Sequence, residues 1–192
     1  ESKGWRFVMN FEDGSATGCM ISPFKLFGQT TYIKTIVPCQ VVGNVTISGG
    51  SAKFNGGYIR CDKFDPPGSG MKSPSYFDMH LWAKNVGNQS SSNVNPVFYH
   101  PNASMSATKS TGVGGLSNLF GLNTRHGDHE HKTLPRSVSP IKDGWYWFAS
   151  QRFNTGIAHT LGSASYPLIT PGGLPAFTFD HDPQTIYIGY EP

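Results

Sequence analysis

The densest run of chemically capable side chains is His126-Gly127-Asp128-His129-Glu130-His131. On a strand, His129 and His131 are two residues apart and point the same way. Two imidazoles so placed can share a metal ion, with His126 or a remote histidine completing the set, and imidazole ligation suits zinc, copper or nickel. The competing reading is a solvated polar loop, because two carboxylates are interspersed and no apolar flank would hold the rings. A second candidate is Asp180-His181-Asp182, whose alternate carboxylates could ligate Ca²⁺. Asp182-Pro183 equally initiates a turn.

Catalytic patterns are missing. The only glutamates are Glu1, Glu12, Glu130 and Glu191, and the Glu-x-Asp-x-x-Glu type of run expected for glycoside hydrolysis by paired carboxylates is absent. Glu12 and Asp13 are adjacent and would face opposite ways on a strand. No Gly-x-Ser-x-Gly elbow occurs. Gly112-x-Gly114-Gly115 has no Lys-Ser/Thr after it and is not a phosphate loop. These absences favour a non-enzymatic protein.

Contact by aromatic rings is the remaining chemistry. Trp82, Trp145, Trp147 and Tyr190 are candidates for binding a ligand or a partner. In Trp145-Tyr146-Trp147-Phe148 the two tryptophans share one face and Tyr146 and Phe148 share the other. One of those pairs cannot lie in a core, and an exposed aromatic pair marks a surface for a glycan or another subunit.

The elements that must carry these residues are strands. Of 192 residues only 14% are charged and 13% are aromatic, with 23 Gly and 14 Pro. That composition excludes disorder and helical bundles. Trp5, Phe7, Met9 and Phe11 alternate on one face. Further strands are predicted over 30–37, 41–47, 52–54, 58–61, 76–84, 96–100, 145–150, 157–161, 176–179 and 185–190. Residues 101–143 read as one long irregular excursion, with Leu116, Leu119 and Phe120 spaced for a short helical turn. The whole chain, 1–192, is expected to form a single β-sandwich domain. Trp5, Phe7, Phe11, Phe54, Tyr58, Phe77, Trp82, Trp147, Phe177 and Tyr187 are expected to fill the space of about 10 Å between its sheets.

Three cysteines are present: Cys19, Cys39 and Cys61. A hairpin around Gly49-Gly50-Ser51, with Ser48 opposite Ala52, brings Cys39 opposite Cys61 and within disulfide reach. A one-residue slip removes the alignment, and Asn55-Gly56-Gly57 competes as the turn. Three reduced, buried thiols are the alternative. The three sequons, at Asn44, Asn88 and Asn102, are close to the roughly two that chance supplies.

The net charge of +3 forms no basic patch, which argues against nucleic acid. No apolar run approaches the roughly 20 residues of a membrane span. The opening Glu1-Ser2-Lys3-Gly4-Trp5 carries no signal peptide. Low charge with abundant Gly, Ser, Thr and Asn favours a chain that works outside the cytoplasm after losing a leader.

Four segments, in order, carry a family resemblance: 11–17 (Phe-Glu-Asp-Gly-Ser-Ala-Thr), 51–59 (Ser-Ala-Lys-Phe-Asn-Gly-Gly-Tyr-Ile), 76–84 (Tyr-Phe-Asp-Met-His-Leu-Trp-Ala-Lys) and 185–189 (Thr-Ile-Tyr-Ile-Gly). This order resembles the concanavalin A-like, laminin G-type jelly rolls, over about a third of the chain. Residues 85–175 depart from that pattern. The stretch 143–149 (Asp-Gly-Trp-Tyr-Trp-Phe-Ala) also resembles a strand of β-sandwich domains in viral tail and fibre proteins. Both resemblances imply a binding or structural sandwich.

The expectation is therefore an all-β, jelly-roll β-sandwich serving as a structural or assembly subunit, homo-oligomeric, extracellular, at a cell surface or in a virion. A carbohydrate-binding, lectin-like module is the second reading. A metal-dependent enzyme using His126–His131 is the third. No cofactor is required, with zinc or calcium as the candidates if one is present.

Overall fold

The structure, a computed structural model, describes residues 6–25, 27–28, 30–62, 77–84, 95–100, 103–111, 118–126, 129–132, 136–153, 156–169 and 185–190. Trp5, Leu116, Phe177, Asp180, Asp182 and the strand expected over 176–179 lie outside them. Every regular element among the described residues is a β-strand, and the pairings are antiparallel. The protein is all-β. Its contacts divide into two compact units: unit 1 is Glu1–Ser73, Phe98–Pro101 and Thr178–Pro192, and unit 2 is Pro74–Val97 and Asn102–Phe177.

In unit 1, β1 (Arg6–Asn10), β2 (Thr17–Lys25) and β3 (Tyr32–Val37) form a three-stranded sheet with β2 in the middle. Phe7, Met9 and Phe11 are half-buried while Val8 and Asn10 are exposed, the expected period of two. A second run of neighbours is β4 (Cys39–Ser48), β5 (Ser51–Cys61), β15 (Ile186–Ile188) and Phe98–His100 of β7 (Asn95–His100). Met20, Val37, Ile59, Cys61 and Ile186 are buried. Burying an aliphatic side chain of this size contributes about 1.5–3 kcal/mol.

The β4–β5 hairpin settles the competition between the two glycine turns. Gly49-Gly50 makes a two-residue turn, both residues at positive φ (56° and 73°), which glycine adopts without steric cost. Asn55-Gly56-Gly57 stays inside β5. Ser48 pairs with Ser51, not with Ala52, and that register holds to Val45 opposite Phe54. Between Val45 and Gly43 the register shifts by one residue, Gly43 pairs with Gly57, and Cys39 arrives opposite Cys61. Two residues of β5 face one of β4 at this bulge. Gly57 cannot carry a side chain there, because a Cβ would stand 2.5 Å from the Asn44 backbone nitrogen and 2.6 Å from the Val42 carbonyl oxygen. A disulfide joins Cys39 to Cys61, with their Cα atoms 4.0 Å apart. Cys19 is a half-buried free thiol.

In unit 2, β8 (Ala103–Thr111), β9 (Asn118–His126) and β10 (His129–Lys132) are consecutive neighbours, and the short β11 (Arg136–Ser137) pairs with β9. The other sheet runs β14 (Ala164–Ile169), β13 (Gly156–Leu161), β12 (Trp145–Phe153), β6 (Phe77–Lys84). Phe120 and Leu122 of β9 meet Phe148 of β12 and Leu161 of β13 in one buried cluster, flanked by Leu81, Ala83, Val97, Val138 and Tyr146. The two sheets of this unit thus face each other across a common core.

Two expectations need correcting. The described residues of the 101–143 stretch are largely regular strand rather than an irregular excursion, with β8 and β9 paired along nine residues each. Leu119 and Phe120 lie on β9, where Phe120, Leu122 and Thr124 alternate inward, and take no part in a helical turn. The aromatic core also differs from the expected set. Phe120 and Phe148 fill it, whereas Phe54 and Trp82 are exposed, and Tyr58, Trp147 and Tyr187 are only half-buried.

Candidate functional site: two aromatic faces and a buried histidine network

The alternation along β12 sorts its aromatic residues. Phe148 and Tyr146 turn inward, with ring centroids 5.6 Å and 4.5 Å from Phe120. Trp145 and Trp147 therefore belong to the outer face. Across the β12–β6 ladder Trp147 pairs with Trp82, Trp145 with Lys84, and Ala149 with His80. The Trp82 and Trp147 rings meet edge to face at 4.9 Å, and His80 lies 5.2 Å from Trp147. Trp82 is 48% exposed. Three of the four aromatic residues singled out from the sequence thus share one outward sheet face, bordered by Lys84, His80 and Gln151.

Tyr190 is elsewhere. It belongs to unit 1, where it stacks on Tyr58 at 4.6 Å and meets Tyr187 at 5.9 Å. Tyr187 in turn lies 6.3 Å from Tyr99. Arg60 sits beside this cluster, opposite Tyr187 in the β5–β15 register. The sequence reading missed Tyr58, Tyr99 and Arg60 as surface partners. The available signal was alternation, since Tyr58 and Arg60 flank the buried Ile59.

In the histidine run, His126 lies on β9 and His129–His131 on the paired β10, and Gly127 and Asp128 lie outside the described residues. His129 pairs with His126 and His131 with Thr124 across β9 and β10. The side chains of His126 and His129 lie outside the described set. His131 is half-buried and its ring lies 4.2 Å from that of His159. Among the described residues no group of three His, Cys, Asp or Glu side chains is placed to hold a metal ion.

His159 is a further histidine that sequence inspection passed over. It is buried and its Nε2 lies 2.6 Å from Thr124 Oγ1, which accepts a 3.1 Å hydrogen bond from Ser150 Oγ. The Thr124 hydroxyl thus bridges Ser150 and His159, and the direction of its bond to Nε2 follows the tautomer of the ring. The trio contains serine and histidine, yet all three residues are buried, which makes it a polar seam between the sheets rather than a nucleophile open to substrate. Arg152 is also buried, and burial draws its guanidinium below the ordinary arginine range. Thr124→Val is expected to destabilise the protein by about 1–3 kcal/mol despite equal volume, because the hydroxyl linking Ser150 and His159 is lost. Urea denaturation measures this.

Asp13 caps the β1–β2 connection. Its Oδ1 accepts from the Ser15 backbone N–H at 3.0 Å, and this bond holds the carboxyl below its usual range. Glu12 and Asp13 are both exposed at this turn. Among the described residues no helix is long and apolar enough to cross a membrane. In comparisons with known proteins, no family model, no curated protein and no solved structure matches this chain.

Proposed function

We propose that this is a non-enzymatic, lectin-like binding module that takes carbohydrate on the outer face of the β12–β6 ladder. The observation that carries the reading is the Trp82–Trp147 pair on the outer sheet face, with Trp82 exposed and Trp147 half-buried beside it. Indole rings stack on the apolar faces of sugar rings, while neighbouring polar groups fix orientation. Lys84, His80 and Gln151 supply such groups here. A protein interface core would instead be depleted of charge around its aromatic residues.

The Cys39–Cys61 disulfide supports work in an oxidising setting, outside a cell, at its surface or in a virion. A jelly-roll connection of the strands is part of the same reading. The burial of Ser150, Thr124 and His159 supports a binding rather than a catalytic role.

The test is a glycan array probed with the natural chain and with Trp82→Ala. The expected result is a set of bound glycans lost in the variant. A blank array for the natural chain would contradict the reading.

A structural or assembly role is the second reading, favoured by β3. Among the described residues this strand lies at a sheet edge and is exposed over all but its last residue, and Tyr32, Ile33 and Ile36 (65% exposed) lie on it with one charge, Lys34. Open edges of this kind template pairing with another chain. It predicts oligomers on size-exclusion chromatography, and a strict monomer counts against it.

A further inference from the structure

We propose that the tyrosine face of unit 1 is a second, separate binding site, and that its ligand is an acidic saccharide, a sugar ring bearing a carboxylate or an ester sulfate. Arg60 of β5 lies opposite Tyr187 of β15, and Tyr187 opposite Tyr99 of β7. Directly paired residues share a face, so these three side chains form one row. Tyr58, two residues before Arg60, extends that row and stacks on Tyr190 with rings nearly parallel, at 18°. The intervening Ile59 and Cys61 are buried on the opposite side. Tyr190 is 40% exposed, and Tyr58, Tyr99 and Tyr187 are partly exposed. The result is a set of phenol rings beside a guanidinium.

Arg60 is held in place. Its Nε donates to Asp62 Oδ1 at 3.0 Å, and the same oxygen accepts from Thr185 Oγ1 at 3.0 Å. Asp62 is itself anchored by its backbone N–H on the Pro38 carbonyl at 2.9 Å. A guanidinium has five N–H donors, so fixing Nε leaves the Nη edge with its donors for a ligand. That edge matches a carboxylate or sulfate in bidentate geometry. The Arg60 side chain is 42% exposed, which keeps it reachable. Asp62 is the acidic partner of Arg60, while β4, β5, β7 and β15, the strands that form this face, contain no Asp or Glu. Phenol rings supply stacking surface for the sugar and hydroxyls for its polar edge.

The site is tested by calorimetric titration with three oligosaccharides of equal length: a uronic-acid oligomer, a sulfate ester of a neutral hexose oligomer, and the unsubstituted neutral oligomer. Titrations are run in a Trp82→Ala/Trp147→Ala background, so that binding seen there belongs to the tyrosine face alone. The expected result is at least about tenfold tighter binding of one or both acidic oligomers than of the neutral one. Preference between the two names the anion. Arg60→Gln is expected to remove that advantage, and Tyr190→Ala, at an exposed ring, to weaken binding of all three oligomers. Asp62→Asn, which keeps the guanidinium but loosens its anchor, is expected to fall between. The proposal is overturned if acidic and neutral oligomers bind alike, if none binds, or if folded Arg60→Gln and Tyr190→Ala both bind as the parent does.

Discussion

Replacing Phe148 with Ala is expected to destabilise unit 2 by about 3–5 kcal/mol, the range for deleting a buried aromatic ring. Phe148 is wholly buried, pairs with Leu161 on one side and Leu81 on the other, and contacts Phe120. The surrounding strands are held by their ladders, so the cavity would not collapse, and the loss belongs at the upper end of that range. Trp147→Ala, one residue away, removes a larger side chain yet is expected to cost only about 1–2 kcal/mol, because its outer position leaves part of the ring in water. Urea denaturation of the two variants measures the contrast. Equal losses would mean that Trp147 belongs to the core and that the outer face is not a contact surface.

Removing the Cys39–Cys61 disulfide is the second large effect. The bond closes a loop of 22 residues. The loop-entropy relation gives about 3 kcal/mol for that length. For a chain of this size that corresponds to a fall in melting temperature of roughly 6–12 °C. The Cys39→Ala/Cys61→Ala variant should melt lower by that amount under non-reducing conditions. Reductant should lower the natural chain similarly and leave the variant unmoved. A variant that melts with the natural chain would place the hairpin's stability in the β4–β5 ladder rather than in the bond.

The all-β class was legible because its signals are local: period-two alternation at Phe7, Met9 and Phe11, glycine turns, and aromatic strands such as Trp145–Phe148. The Cys39–Cys61 pairing was legible for a less direct reason. The expected register near the turn was one residue off, and the bulge at Asn55-Gly56 restores it before the cysteines. A bulge of this kind cannot be read from alternation, since Asn-Gly-Gly also spells a turn.

What stayed hidden was hidden by composition. β8 is built from Ala, Ser, Thr, Met and Lys, so its inward residues contrast little with its outward ones, although Ala103 and Met105 are buried. β14 contains Pro167, which reads as a strand breaker, but it is a sheet-edge strand, where a missing backbone donor is tolerated. In β9, Leu119 and Phe120 mimic helical spacing, and only the buried Phe120–Leu122–Thr124 series reveals the strand. The tryptophan face was legible because β12 is aromatic on both sides. The tyrosine face was not, because it gathers β5, β7 and β15, which lie far apart in the chain.

The outer face of β12 and β6 as a saccharide surface is the central claim. Its most direct test is calorimetric titration of the strongest array glycan against the natural chain and against Trp82→Ala/Trp147→Ala, with cooperative unfolding confirming that both are folded. The account predicts a loss of affinity of about thirtyfold or more in the double variant, since aromatic stacking contributes on the order of 1–3 kcal/mol per ring. A folded double variant that binds that glycan as tightly as the natural chain would contradict it.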